Sequence, residues 1–438
     1  MTDRSLSSSH TSDYELDGPI NESVPLVDQK KNLLVTKSDM YRKGKASLPS
    51  SISNITNTVL GAGILSLPYV LQNMGWALGL ILMGFIALIS IVTLKMLGIA
   101  CKTIQVPSYP KLMRVVGGKK LEFVTKLLLL LTVLSAVASY IILIGDCFPK
   151  VIQYAAGKNE GYFWTGRNFI TVVVILCVAF PVSMLPKMDY LRYTSYFSIF
   201  SSCYVVFLTV FKYAYSSSPR TSDSTHAFAS NWKDILKTLP NIIFAYGAQI
   251  VLPSVTWELK NPTKKRVLGV GISCVSISSA LYACSSLFGY LKFGAGTKGD
   301  ILNNYPVDDT ATIVGRMMIG FVGLFSYPVV FFVGRESFKE LFFTGKPFNW
   351  LSHTLITFIG CVFCTIIALT IPQIQLVTAF CGGAFCSIIN FAFPALAYLH
   401  TIPKDKSWVH KIFPYVIFVF GLISCVGTSI IIVWQAVA

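Results

Sequence analysis

The sequence predicts an all-α polytopic membrane protein of eleven transmembrane helices, two inverted five-helix repeats with one helix appended. Three observations carry this. Of the 438 residues, 53% are hydrophobic and 13% charged, about half the charge of a soluble domain, which runs near 25%. Apolar runs of about 20 residues, the length that crosses a bilayer, recur along most of the chain. The first run is interrupted by Gly61-Ala62-Gly63-Ile64-Leu65-Ser66-Leu67-Pro68, with an echo five runs later at Gly247-Ala248-Gln249-Ile250-Val251-Leu252-Pro253.

Residues 1–48 are rich in Ser, Asp and Lys, lack apolar periodicity and read as a disordered cytosolic tail. The transmembrane domain, 49–438, then holds spans near 50–72, 76–100, 121–146, 168–186, 193–215, 238–257, 267–291, 311–335, 352–371, 375–400 and 412–436. Repeat one covers about 50–215 and repeat two about 238–400, with each break in the first helix of its repeat. An odd number of spans puts the termini on opposite sides. With the N-terminus inside, cytosolic segments hold 24 Lys and Arg residues and outer loops 10. That bias orients the chain with a cytosolic N-terminus. The net charge of +16 is therefore a topology signal and a means of touching anionic lipid headgroups. No basic–aromatic interleaving points to nucleic acid, and the chain is expected to act as a monomer.

Most chemistry is excluded by what the spans contain. Cys361 and Cys364 form a C-x-x-C inside an apolar span, with no His or acid to complete a zinc site. No Walker-type loop or nucleophile motif is present, so neither ATP-driven pumping nor an enzyme is expected. No resident cofactor is expected either, only a coupling ion, sodium or a proton. Asp146, Glu258, Arg316, Arg335, Glu336 and His353 fall near span ends, and Asp146 reads as an interfacial helix cap. The outer loops carry no Asn-x-Ser/Thr glycan acceptor and no cysteine pair.

Glycine and proline break helices, and in lipid the freed backbone groups need partners. Unwinding at Gly61–Gly63 frees N–H groups at the start of the half-helix that follows, with its positive dipole end, and these suit a carboxylate. Thr58, Gly61, Ala62, Gly63 and Ile64 form that side. Unwinding near Gly247 frees carbonyls, which suit an ammonium group; Phe244, Ala245, Tyr246 and Gly247 form this second side. Together they describe a site for a free α-amino acid. Membrane glycines also serve close helix packing, and it is Pro68 and the echoed string that favour breaks. Asn57, one turn before Gly61, and Ser326, before Pro328, offer oxygens that suit sodium. The same side chains suit bonds between neighbouring helices.

Several of these strings resemble one family. Asn57-Thr58-Val59-Leu60-Gly61-Ala62-Gly63-Ile64-Leu65-Ser66-Leu67-Pro68 is similar to the first-helix signature of the amino acid/auxin permease superfamily. Ala138-Ser139-Tyr140-Ile141-Ile142-Leu143-Ile144-Gly145-Asp146 resembles its third-helix signature. Pro181 through Lys187 and Leu191 to Ser195, Pro253 with Glu258 and Leu259, and Ser326-Tyr327-Pro328 with Arg335 follow in the family's order. The nearest likeness is to the sodium-coupled neutral amino acid transporters and related vacuolar amino acid transporters. The resemblance implies the leucine-transporter-type fold and alternating access. It implies sodium ligands at Asn57 and Ser326 and a tyrosine, Tyr140, over the substrate. One departure is plain: the sodium-coupled branch tends to carry a His in span six, where this chain has Ala248-Gln249.

The function expected is secondary active transport of neutral amino acids, with Tyr140, Tyr246 and Gln249 lining the side-chain pocket. A second reading is an amino-acid sensor that binds and signals through residues 1–48 with little transport. Glu22-Ser23-Val24-Pro25-Leu26-Val27 resembles an acidic dileucine signal, so a vacuolar or lysosomal membrane stands beside the plasma membrane as the expected location.

Overall fold

The computed structural model describes residues 44, 46–61, 63–157, 163–184, 194–215, 224–343, 349–403 and 408–437. The sorting motif at 22–27, Ala62, and most of the stretch between Lys187 and Ser195 lie outside the described residues.

The helices run in chain order as α1 (Leu48–Leu60), α2 (Gly63–Met74), α3 (Trp76–Ile104), α4 (Tyr109–Ala155), α5 (Arg167–Ser183), α6 (Thr194–Tyr215), α7 (Trp232–Ala245) and α8 (Leu252–Glu258). They continue as α9 (Lys264–Phe293), α10 (Thr310–Phe342), α11 (Trp350–Thr370), α12 (Ile374–Cys386 and Ile388–Thr401) and α13 (Val409–Val437). Among the described residues eight helices are long and apolar enough to cross a membrane, or nine when the two parts of α12, bent by 41°, count as one. The expected eleven is reached only by joining α1 to α2, of 13 and 12 residues, and by counting the shorter apolar helix α5.

The local causes are legible. α1 starts where the Ser47 side chain accepts the Ser50 amide at 3.3 Å, with Pro49 in its first turn. Proline fits there because first-turn amides have no intrahelical partner. α4 runs from Tyr109 to Ala155, well beyond the expected span at 121–146, and is kinked at Gly118, whose φ of 76° favours glycine. Its polar start stays helical through ion pairs of Glu122 with Arg114 (3.3 Å) and Lys126 (3.1 Å). Asp146 lies inside α4 and caps nothing; it pairs instead with Arg167 of α5 at 2.9 Å.

The expected tail gives way to structure before residue 48. The Ala46 amide donates to the Glu258 carbonyl and the Lys260 amide to the Ala46 carbonyl, both at 2.9 Å. The end of α8 thus has backbone partners in the segment before α1. α10 packs lengthwise on α4, and α9 packs along α1, α2 and α3. α13 lies against α12. The core therefore surrounds the two interrupted helices.

Candidate substrate site

The two breaks meet. A Cβ built on Gly63 would lie 3.1 Å from the Ala245 Cβ and 3.3 Å from the Tyr282 Oη. A Cβ on Gly61 would lie 3.0 Å from the Tyr140 Oη. These close approaches give glycine a physical reason at both positions. Ile64, Ala245 and Tyr246 are buried beside them.

Every carbonyl freed at the end of α7 has a donor from the protein. Asn390 of α12 donates its Nδ2 to the Ile243 carbonyl (3.2 Å), and the Gly247 amide turns back to Phe244 (3.1 Å). The Tyr282 hydroxyl reaches the Ala245 carbonyl (3.1 Å). The Tyr246 carbonyl accepts the Ala248 amide (2.9 Å) and the Ser90 hydroxyl (3.5 Å). A short turn, Ala248–Ile250, then leads into α8.

The α1–α2 break is served from the same side. Tyr282 shares its single proton between Ala245 and the Val59 carbonyl, which lies 2.5 Å away. Pro68 has no N–H for the carbonyl of Ile64 four residues earlier; Ser285 donates there instead, at 3.4 Å. α2 begins at Gly63, so the amides of its first turn have no partner within the helix and present its positive dipole end.

Tyr282 and Ser285 are not among the residues that the sequence strings point to. A signal was there: Ser278, Tyr282, Ser285, Ser286 and Gly289 form a stripe at helical spacing on an otherwise apolar span, and all five are buried. Such a polar stripe faces a bundle interior rather than lipid.

The predicted residues divide. Gly61, Gly63, Ile64, Ala245, Tyr246 and Gly247 gather at the paired breaks, and Phe244 stands half-buried in the last turn of α7. Tyr140 sits against Gly61 and interacts with the Ser326 side chain. Tyr246 turns its hydroxyl to Ser279 of α9 (3.0 Å) and packs its ring edge-on to Tyr282. Thr58 is not gathered in: it is exposed and donates to the Asn54 carbonyl of its own helix (3.1 Å). Gln249 is fully buried but points at α3, donating to Thr93 at 2.9 Å and Ser90 at 3.5 Å. Asn57 donates to Ser195 of α6 at 3.4 Å.

This geometry defines a class: a helical membrane protein with two broken helices meeting face to face, the arrangement of a transporter. The family profile described as transmembrane amino acid transporter protein matches residues 44–434. The chain belongs to that family and is a transporter, not an enzyme. Among solved structures it is similar to MhsT in complex with L-phenylalanine, at 14% identity and a TM-score of 0.59, covering 88% of this chain and 100% of that one. A manganese transporter of Eremococcus coleocola, in complex with an aromatic bis-isothiourea substituted compound, matches at 16% identity and 0.58, covering 87% and 86%. Mhp1, a nucleobase-cation-symport-1 family transporter in a closed conformation with bromovinylhydantoin bound, matches at 11% and 0.53, covering 90% and 94%. These likenesses show the fold, two inverted five-helix repeats of the leucine-transporter type.

Proposed function

We propose that this chain is a secondary active transporter of free neutral α-amino acids, of the sodium-coupled and vacuolar branch, working by alternating access. The observation that carries the reading is the meeting of the opening amides of α2 with the closing carbonyls of α7, tied by Tyr282. The substrate carboxylate would take the amides of Ala62, Gly63 and Ile64. The ammonium group would take the lone pairs left on the carbonyls between Phe244 and Gly247, that of Tyr246 being already filled by Ala248 and Ser90. Neutral substrates follow because no acidic or basic side chain stands among the described residues gathered at the breaks.

Eleven crossings, a cytosolic N-terminus, a vacuolar, lysosomal or plasma membrane, and a monomer complete the proposal. Asn57 and Ser326 are its sodium ligands. Uptake of labelled amino acids into proteoliposomes, with sodium and pH gradients imposed separately, tests it. Saturable uptake of neutral amino acids under one gradient is expected; no uptake of any amino acid under either would defeat the reading. Asn57→Ala should remove a sodium requirement while leaving exchange intact.

A further inference from the structure

A cavity of about 350 Å³ lies between the α9–α10 loop, the start of α12, and Tyr69 of α2 and Asp146 of α4. Its wall includes Tyr69, Asp146, Lys298, Asp300, Asn303 and Gln375. Asp300 is the unusual member. It is 4% exposed, and its Oδ1 accepts the Leu302 amide at 2.9 Å. Its Oδ2 is buried and has no hydrogen-bond partner. A buried carboxylate oxygen without a partner is costly when charged, and a proton removes that cost.

The surroundings sharpen the point. On α4, Asp146 is engaged by Arg167 of α5 at 2.9 Å and by the Asn303 side chain at 3.4 Å. Lys150 donates to Asn303, not to Asp300. Lys298, on the same loop, donates to the Asn303 carbonyl at 3.1 Å. Arg316 of α10 spends its guanidinium on the carbonyls of Leu302 (2.9 Å), Tyr305 (2.8 Å) and Pro306 (3.3 Å). The other titratable groups facing the cluster are Cys147 of α4 and Tyr69 of α2. Four cations surround the two aspartates, yet each is bonded elsewhere than to Asp300.

We infer that Asp300 is a proton-binding site on the face that carries the α9–α10 loop, beside Asp146, which is paired with Arg167. The reasons are burial and the unpartnered oxygen. Burial first, and then repulsion from Asp146, push the Asp300 carboxyl up to about 7. The site has a mechanical neighbour. Asp300 caps the short helix Ile301–Asn304, which packs against α2; Ile301 and Pro68 both rest on Gly289. Binding or release of the proton therefore acts on the turn that braces the far half of the first broken helix.

The test needs no substrate, so it is independent of the transport reading. Infrared difference spectra of the purified full chain in lipid nanodiscs are recorded from about pH 5 to about pH 9, a window in which an ordinary aspartate stays ionised. A protonated-carboxyl band that titrates near 7 is expected, and Asp300→Asn should remove it. Absence of such a band in the unsubstituted protein, or its survival in Asp300→Asn, overturns the inference. Asp146→Asn provides the check if Asp300→Asn does not fold. It keeps Asp300 and removes its negative neighbour, so the band should persist with its midpoint moved to lower pH. A midpoint that stays or rises contradicts the inference.

Discussion

The two breaks solve the same backbone problem in different ways. At the α7–α8 break each freed carbonyl from Ile243 to Tyr246 already has a protein donor. At the α1–α2 break the carbonyls of Val59 and Ile64 are likewise served, but the first-turn amides of α2 have no intrahelical partner. A carbonyl oxygen has two lone pairs and an amide only one proton. An acceptor can be fixed by the protein and still bind a ligand; a donor cannot. Under the proposed function, Asn390, Tyr282 and Ser90 would preorganise the acceptor half of the site, and the donor half would be left for the ligand.

That contrast can be broken where the halves touch. Gly63→Val would drive a side chain into Ala245 and Tyr282, 3.1 and 3.3 Å from the Cβ position. Overpacking of this kind costs about 1–3 kcal/mol. Uptake should fall at least tenfold (roughly 1.4 kcal/mol of barrier or binding), and thermal unfolding should report the lost stability. Tyr282→Phe strips a donor from both breaks at once. Leaving a buried acceptor unpaired costs about 1–3 kcal/mol, so a lower unfolding temperature with weaker uptake is expected, measured side by side with Ser279→Ala, which removes the hydrogen bond to Tyr246.

The brace behind the first break should show in the pH dependence of stability. The carboxyl of Asp300 stands at about 7 against 3.8 for an ordinary aspartate. The folded chain therefore holds this proton more tightly than the unfolded one. The stability this provides is complete below 3.8 and is lost as pH rises through about 7. The unfolding temperature should fall across that window, and the fall should be smaller in Asp300→Asn. The smallest effect is expected at Gln249→Leu. The Gln249 Oε1 has no partner and Thr93 retains its bond to Ser90, so stability should change by less than about 1 kcal/mol. Uptake kinetics would show whether Gln249 contributes to the pocket in spite of pointing at α3.

How much of this was legible beforehand differs between backbone and side chains. Pro68 and the paired glycines announced the first break because glycine and proline act on the chain locally. The Gly247 echo announced the second for the same reason. Tyr282 acts from α9 across more than two hundred residues of sequence, and only the polar stripe around it hinted at an inward face. Proximity in sequence assigns Thr58 and Gln249 to the site, but Thr58 bonds back to Asn54 of its own helix and Gln249 bonds to Thr93 of α3. Asp146, at the end of the expected span 121–146, reads as an interfacial cap; the helix runs on to Ala155, and Arg167 and Asn303 engage the carboxylate from neighbouring elements. Asp300 carried no signal, since its burial depends on a loop folding over α4 and α2.

In the proposed function, backbone groups at the two breaks recognise the carboxylate and ammonium of one amino acid. The most direct measurement is competition against uptake of a labelled neutral amino acid by three ligands: the same unlabelled amino acid, its carboxamide and its N-acetyl derivative. Full competition by the first is expected, and at least tenfold weaker competition by each of the others (about 1.4 kcal/mol per factor of ten). Equal competition by the carboxamide or the N-acetyl derivative would contradict it.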